Sequence, residues 1–308
     1  MEHEKHHYIP VSYLKQFAYE KDSIIHVYDK IGKKSYSKNI KDICCEKNFY
    51  SLTNDYLDLQ NDTSLNPLSI EMNYFAESIE DGYNKVLKWI GSEATNRFKT
   101  DYHYLGLVDE SKLLIAKYIT IQYLRTPYIR DAVVAEEIRI GEKMIRLFKE
   151  GLANERKTPS ISKQSIDFDI DSVSCHAINT YLDSDYVSRI ANHLAKSYWH
   201  FYYSPRGDFY SSDNPIIIMH QYNNEMTKDY GLTDYGAEIS FPINPCLLLT
   251  IYDYRYYYIY DGTDGLFEEA LNEHIEYANV CQFAFSNRIV FNKTGDFSVA
   301  NKAQSIMV

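Results

Sequence analysis

The sequence predicts an α+β fold, with a helix-rich middle packed on a mostly antiparallel sheet formed by N-terminal and C-terminal strands. Three observations predict it. Apolar residues recur at helical spacing between 67 and 196, strand-length apolar runs fill 198–291, and a β-branched run followed by a turn and a returning strand lies near the N-terminus. Hydrophobic residues make up 45% of the chain, enough to build a core and too many for wholesale disorder. The chain 1–308 reads as a single domain with an N-terminal hairpin region (1–60), a helical region (67–196) and a strand-rich region (198–291).

The elements follow in order. Pro10 opens a short helix, because its missing N–H is not needed in a first turn. Val11, Leu14, Phe17 and Ala18 then share one helical face. Ser23 to Tyr28 and Ser35 to Ile40 read as strands around the turn Asp29 to Lys34, which contains Gly32. Cys44 to Leu52 reads as extended. The spacing of Ile70, Tyr74, Ile79, Tyr83, Val86, Leu87 and Ile90 predicts a helix over Pro67 to Ile90, stopped by Gly91. At a 3.6-residue period Glu71, Glu77 and Glu80 fall on different faces of it. A second helix spans Glu110 to Arg125 and ends at Pro127. A third runs from Tyr128 to about Glu150, with Gly151 as its stop.

The polar stretch 152–168 reads as a mobile loop, and Ser172 to Lys196 as a fourth helix. Strands are expected at Tyr198 to Tyr203, Asp208 to Ser211, Pro215 to His220, Ala237 to Phe241, Cys246 to Tyr252 and Tyr256 to Tyr260. Gln221 to Tyr235 is expected as a surface loop, Asp264 to Val280 as a helix, and Gln282 to Phe291 as one or two closing strands.

Bulk chemistry narrows the function. The chain carries 43 acidic and 32 basic residues, a formal net charge of −11, which disfavours a protein that coats nucleic acid. The longest apolar runs, Ile216 to Met219 and Leu247 to Ile251, are far shorter than the roughly 20 residues of a bilayer span. The N-terminus has no apolar secretory segment. Cys44, Cys45, Cys175, Cys246 and Cys281 show no CxxC spacing and read as reduced cysteines. The expectation is a cytoplasmic protein with no membrane partner. The 30 tyrosines suit half-buried strand surfaces, with an apolar ring and a polar tip. No Walker A, HExxH, GxSxG or dinucleotide-binding glycine motif occurs.

Four polar clusters stand out. In His6-His7-Tyr8-Ile9-Pro10, adjacent histidines of an extended segment face opposite ways, so one of them joins a given site. That histidine serves either as a base or metal ligand, or as an anchor of the terminus. In Gln122-Tyr123-Leu124-Arg125-Thr126-Pro127, Tyr118, Gln122 and Arg125 share one helical face. That polar stripe either lines a cavity or lets Arg125 cap the helix C-terminus. In Phe209-Tyr210-Ser211-Ser212-Asp213-Asn214-Pro215, Asp213 at a strand end either enters a site or shapes its loop. Glu71, within the first long helix, is either a site carboxylate or a solvated one.

These clusters, taken with Tyr13-Leu14-Lys15-Gln16-Phe17, Lys47-Asn48-Phe49-Tyr50, Phe241-Pro242-Ile243-Asn244-Pro245, Asn272, Ala278-Asn279 and Phe285-Ser286, give a sequence that resembles the uncharacterised domain-of-unknown-function family 4238. The matches run in order from residue 6 to about 286. Asn279 departs from the basic residue expected after the alanine. The resemblance implies that His7, Glu71, Gln122, Arg125 and Asp213 belong to one site.

The chemistry of that set suits hydrolysis of a phosphodiester or similar anion. His7 would be base or metal ligand, Glu71 and Asp213 metal ligands or base, Arg125 a charge stabiliser, and Gln122 would orient substrate or water. Tyr8, Tyr123, Tyr210 and Asn214 would wall the pocket. A divalent metal, Mg²⁺ or Mn²⁺, fits such a set, and RNA, DNA or a nucleotide fits the substrate. Lys33, Lys34, Lys38 and Lys41 supply a local basic groove. The expectation is a nuclease-like hydrolase, of use as a bacterial defence or toxin effector. The alternatives are a non-catalytic sensor of an anionic small molecule and a structural interaction domain.

Overall fold

The computed structural model describes residues 5–19, 23–60, 65–100, 103–156, 171–180, 184–220 and 231–306. Positions 221–230 of the expected surface loop and 157–168 of the expected mobile loop lie outside them, as does the side chain of Glu77.

The N-terminal region forms as its pattern dictates. Strand β1 (Lys5–His7) and helix α1 (Val11–Phe17) come first, and α1 buries Tyr13, Leu14 and Phe17. Strands β2 (Ile24–Asp29) and β3 (Lys34–Asn39) pair as a hairpin. Asp29 shapes the turn by accepting the N–H groups of Ile31 and Gly32 on Oδ1. The segment expected to be extended from Cys44 to Leu52 contributes only β4 (Cys45–Lys47), which pairs antiparallel with β1 and sets His7 opposite Cys45. Cys44 and Asn48 flank β4 at φ 51° and 56°, so the chain turns sharply on either side of it.

The middle is helical. Helix α2 (Asn54–Gln60) is followed by a π-helix, Ile70–Glu80, that runs straight into α3 (Asp81–Lys99). The expected helix end at Gly91 is not there: α3 passes through it. A Cβ at Gly91 would sit 2.7 Å from Nδ2 of Asn244, so the glycine lets the helix press against a strand. Helices α4 (Asp109–Leu124) and α5 (Pro127–Arg156) meet at the expected proline, and α5 runs on through Gly151. Ser172 to Lys196 divides into α6 (Ser172–Thr180) and α7 (Ser184–Lys196). Among the described residues no helix is long and apolar enough to cross a membrane.

The strands form more than one sheet. A four-stranded sheet, in the order β3-β2-β11-β6, joins the N-terminal hairpin to β11 (Ile289–Asn292) and β6 (Ser211–Ser212). This is the sheet expected from the two ends of the chain. The last third also builds a five-stranded sheet of its own. Its order is β10 (Leu266–Glu269), β5 (Tyr198–Tyr203), β9 (Leu247–Tyr252), β8 (Ala237–Asn244), β7 (Ile217–His220). Every pairing in these sheets is antiparallel except β10 with β5. One face of the large sheet carries Trp199, Phe201, Ile239, Phe241, Leu249 and Ile251 into the main core against the helices. Helix α8 (Asn272–Phe285) lies against β6, β7 and β11, and α9 (Ser298–Ile306) packs on α8.

Several expectations fail here: of the strand expected at Asp208 to Ser211 only Ser211 is in a strand, and Gln282 to Phe285 belongs to α8 rather than to a closing strand. Tyr256 to Tyr260 is a turn and a short 3₁₀ segment, because the Asp253 carbonyl takes the N–H groups of both Tyr256 and Tyr257. The Tyr252, Tyr257 and Tyr260 rings then pack on one another, with centroids 4.7–5.8 Å apart. Asp264 to Val280 begins as a strand, since Leu266–Glu269 finds the open edge of β5, and the helix starts only at Asn272. Gly265 sets that entry at φ +85°, where a Cβ would lie 3.0 Å from the Leu105 carbonyl oxygen. Gly265→Ala is therefore expected to cost about 1–2 kcal/mol in urea unfolding; an unchanged midpoint would contradict this backbone.

Candidate functional site

Arg125 organises the site. It ends α4, and the two last carbonyls there are taken by side chains: His176 Nε2 meets Leu124 O at 2.7 Å, and Tyr50 donates its hydroxyl to Arg125 O at 3.1 Å. Thr126 bonds back to Tyr123 O, and Pro127 starts α5 where a first turn tolerates it. The guanidinium is 1% exposed. It donates Nε–H to Tyr50 Oη at 3.2 Å, and Nη2–H to the His7 carbonyl at 2.6 Å and to Glu80 Oε1 at 3.4 Å. Its plane lies over the Phe75 ring at 4.1 Å.

The π-helix explains which carboxylates gather here. A π-helix bonds i to i+5 and turns about every 4.4 residues, so residues nine apart lie two turns apart on one face. Glu71, Phe75 and Glu80 thereby share a side that a 3.6-residue period would split. Glu80 keeps its side chain 32% exposed beside Arg125. Glu71 is deeper. Burial pushes its carboxyl up to about 7, against the opposing pull of Arg125, and Glu80 adds to the rise. Its Oε2 is buried without a partner.

His7 stands at the end of β1. Its ring lies near the main chain of Ile40 and Lys41, which favours the charged form, and Nε2 is buried without a partner. Burial holds the imidazole below its ordinary pKa; Glu80 pulls it up and Arg125 pushes it further down. Gln122 donates Nε2–H to Tyr8 O at 3.3 Å, while its Oε1 is buried unpartnered. The Tyr83 hydroxyl, also buried and unpartnered, lies in the field of Arg125. Two of the expected residues, His7 and Glu71, thus lie beside the guanidinium of a third, Arg125, and Gln122 bonds the segment next to His7. Glu80, Tyr50 and Tyr83 join them. Tyr50 was signalled by its place in Lys47-Asn48-Phe49-Tyr50, and Glu80 only by a π period.

Asp213 is placed differently. It is 2% exposed, and its two oxygens accept the N–H groups of Asn287, Arg288 and Ile289 at 2.8–3.1 Å. Burial pushes its carboxyl up to about 6 against those donors. It holds the loop that leads into β11. The residues around it form a latch onto α8: Asn279 Oδ1 accepts Tyr210 N–H and its Nδ2 donates to Asp208 O, Gln282 bonds Ser212 and Pro215, and Asn214 donates to Phe285 O. Among the described residues no three His, Cys, Asp or Glu side chains gather as a metal-binding group.

The expected pocket tyrosines part company as well. Tyr8 lies between the two groups, giving its carbonyl to Gln122 and packing its ring on Phe49. Tyr123 and Asn214 line a cavity of about 20 Å³ with Ile216 and Phe285, room for a single water. Tyr210 lines a separate groove of about 500 Å³ between α8 and α9, and donates its hydroxyl to Asp296 O.

Residues 5–296 match the family model described as a protein of unknown function (DUF4238). The chain belongs to the DUF4238 family. No curated protein and no solved structure matches it. The match spans both the Arg125 cluster and the Asp213 latch, so the motifs of this DUF4238 chain divide between a polar site and the scaffold behind it. Asn279, where the sequence departs from the expected basic residue, belongs to the scaffold: a neutral amide there serves one N–H and one carbonyl at once.

Proposed function

We propose that the Arg125 cluster is the active site of a hydrolase of phosphodiester bonds, acting on a nucleic acid or nucleotide. One observation carries the reading. His7 Nε2, Glu71 Oε2 and Gln122 Oε1 are buried without partners in the elements that hold a single buried arginine. An unsatisfied buried polar atom costs about 1–3 kcal/mol, so a network built only to hold the fold would satisfy them. Bound substrate or water is what supplies partners to such atoms.

His7, held neutral, takes the proton of the attacking water. Glu71, held protonated near neutrality, returns a proton to the leaving oxygen. Arg125 balances charge on the non-bridging oxygens once a phosphate displaces its longest contact, Glu80. Gln122 orients the water. Lys33, Lys34, Lys38 and Lys41, exposed along β3 and at its two ends, supply a basic approach beside the Ile40 and Lys41 main chain, which lies near His7. This local patch answers the net acidity of the chain. The opposed pKa shifts of His7 and Glu71 favour catalysis over a sensor, which needs no acid–base pair. Service as a defence effector is consistent with such a reaction.

The test is incubation of the purified chain with labelled RNA, DNA and nucleotides, with and without Mg²⁺ or Mn²⁺. Turnover is expected and should be lost in His7→Ala and Glu71→Gln. Saturable nucleotide binding without turnover would replace the hydrolase by a sensor. The rate should peak in a narrow band. It falls on the acid side as His7 protonates, below the ordinary histidine value of 6.5, and on the alkaline side as Glu71 ionises at about 7. Stability should follow Glu71 independently of activity. The folded state favours its protonated form, so this contribution is full below about pH 4.5 and is lost as pH rises through about 7. Glu71→Gln should flatten that slope in urea unfolding at pH 5 and pH 8.

A further inference from the structure

Among the described residues, nothing covers one face of helix α5 in its outer part. The helix is 30 residues long, about 45 Å. In its outer part Ile138 and Ile140 are each 40% exposed, Met144 66%, Leu147 55% and Phe148 61%. At about 100° per residue, Leu147, Ile140, Met144, Phe148, Ile145 and Ile138 follow one another around roughly half the circumference, with Arg130, Glu137 and Gly141 among them. A surface helix this wide in apolar residues packs on something. The exposed part is on the order of 500 Å², at the upper end of what monomers show.

The charges at its borders name the occupant. Asp131 and Lys149 lie on the border beside Ile138, and Glu136 and Lys143 on the border beside Leu147. In each of these two pairs the acid comes first and the base second; Asp131 and Lys149 are centred on Ile140, and Glu136 and Lys143 between Arg139 and Ile140. In an antiparallel pair of identical helices related by a two-fold axis at Ile140, each border meets its own copy in reverse. Asp131 then faces Lys149 of the second copy, and Glu136 faces Lys143. A parallel pair would set like charges together. Within one chain Glu136 meets Arg139 and Asp131 meets Arg130, but these pairs lie at the surface and are weak.

We infer that α5 docks against α5 of a second copy, antiparallel about Ile140, to form a symmetric dimer. Two such faces bury about 1,000 Å², enough for a specific, reversible interface. The proposal is independent of the Arg125 site.

Sedimentation of the full chain between about 1 and 100 µM should show its mass rise from 36.1 kDa toward twice that value. Phe148→Asp should raise the dimer dissociation constant at least about tenfold, without a change in circular dichroism because the side chain is exposed. Lys149→Asp should weaken the dimer, and Asp131→Lys combined with Lys149→Asp should restore it to within about threefold. Ile140→Cys should cross-link to itself on mild oxidation, well ahead of Arg146→Cys on the opposite face. A folded chain that stays monomeric at about 100 µM overturns the proposal. So does a dimer in which the charge swap fails to restore affinity, or in which the two cysteines link equally fast.

Discussion

Arg125→Met is expected to destabilise the protein by about 3–5 kcal/mol in urea unfolding at pH 7, the range for removing one member of a buried charged network. Methionine can fill the space over Phe75, so the loss is electrostatic rather than a cavity effect. It leaves the His7 carbonyl without its 2.6 Å donor and deprives Tyr50 Oη of the Nε–H it accepts. It also strips Glu71 of its opposing cation, so Glu71 should titrate above about 7 in the variant. Arg125→Lys keeps the charge but cannot reach Tyr50, His7 and Glu80 at once, and should recover only part of the stability. A loss under about 1 kcal/mol would mean that the guanidinium is not the centre of the cluster.

The second large effect is expected at Asp213. Asp213→Ala orphans the N–H groups of Asn287, Arg288 and Ile289 together. At about 1–3 kcal/mol for each unsatisfied donor, a loss of roughly 3 kcal/mol or more follows. Asp213→Asn should be nearly as damaging, because its amide would point a donor at backbone donors. A catalytic carboxylate would behave otherwise: asparagine would abolish turnover and leave the unfolding midpoint almost unchanged. Comparing the two midpoints decides between loop anchor and catalyst. Wild-type midpoints from both Asp213 variants would remove the anchor.

The two residues show how far sequence patterns carry. Gln122 and Arg125 were legible as a pair, because positions three apart on a helix share a face whatever that helix packs against. Asp213 was legible as a strand-end carboxylate, but its partners lie more than seventy residues later. Both readings of it, site member and loop former, fit the local pattern. Glu71 was legible as an acid among apolar neighbours; that Glu80 shares its face depends on a helical register the 3.6-residue period does not contain. Gly91 reads as a helix stop until the neighbouring strand is in place to press against it.

By itself the sequence determined the α+β class, the helical middle, the strand-rich last third, the helix break at Pro127, and the polar residues that stand out against apolar neighbours. These follow from period, turn chemistry and the cost of burying charge, all of which act over a few residues. Only the tertiary structure decided that the strands form two main sheets and a short ribbon, and that Tyr256 to Tyr260 folds into turns. It alone decided that Arg125 lies against His7 and beside Glu71 while Asp213 anchors a loop. The physical reason is common to these cases. Each rests on a hydrogen bond or close approach between segments remote in sequence, or on a helical register that remote packing sustains, and such contacts are settled by packing rather than by periodicity.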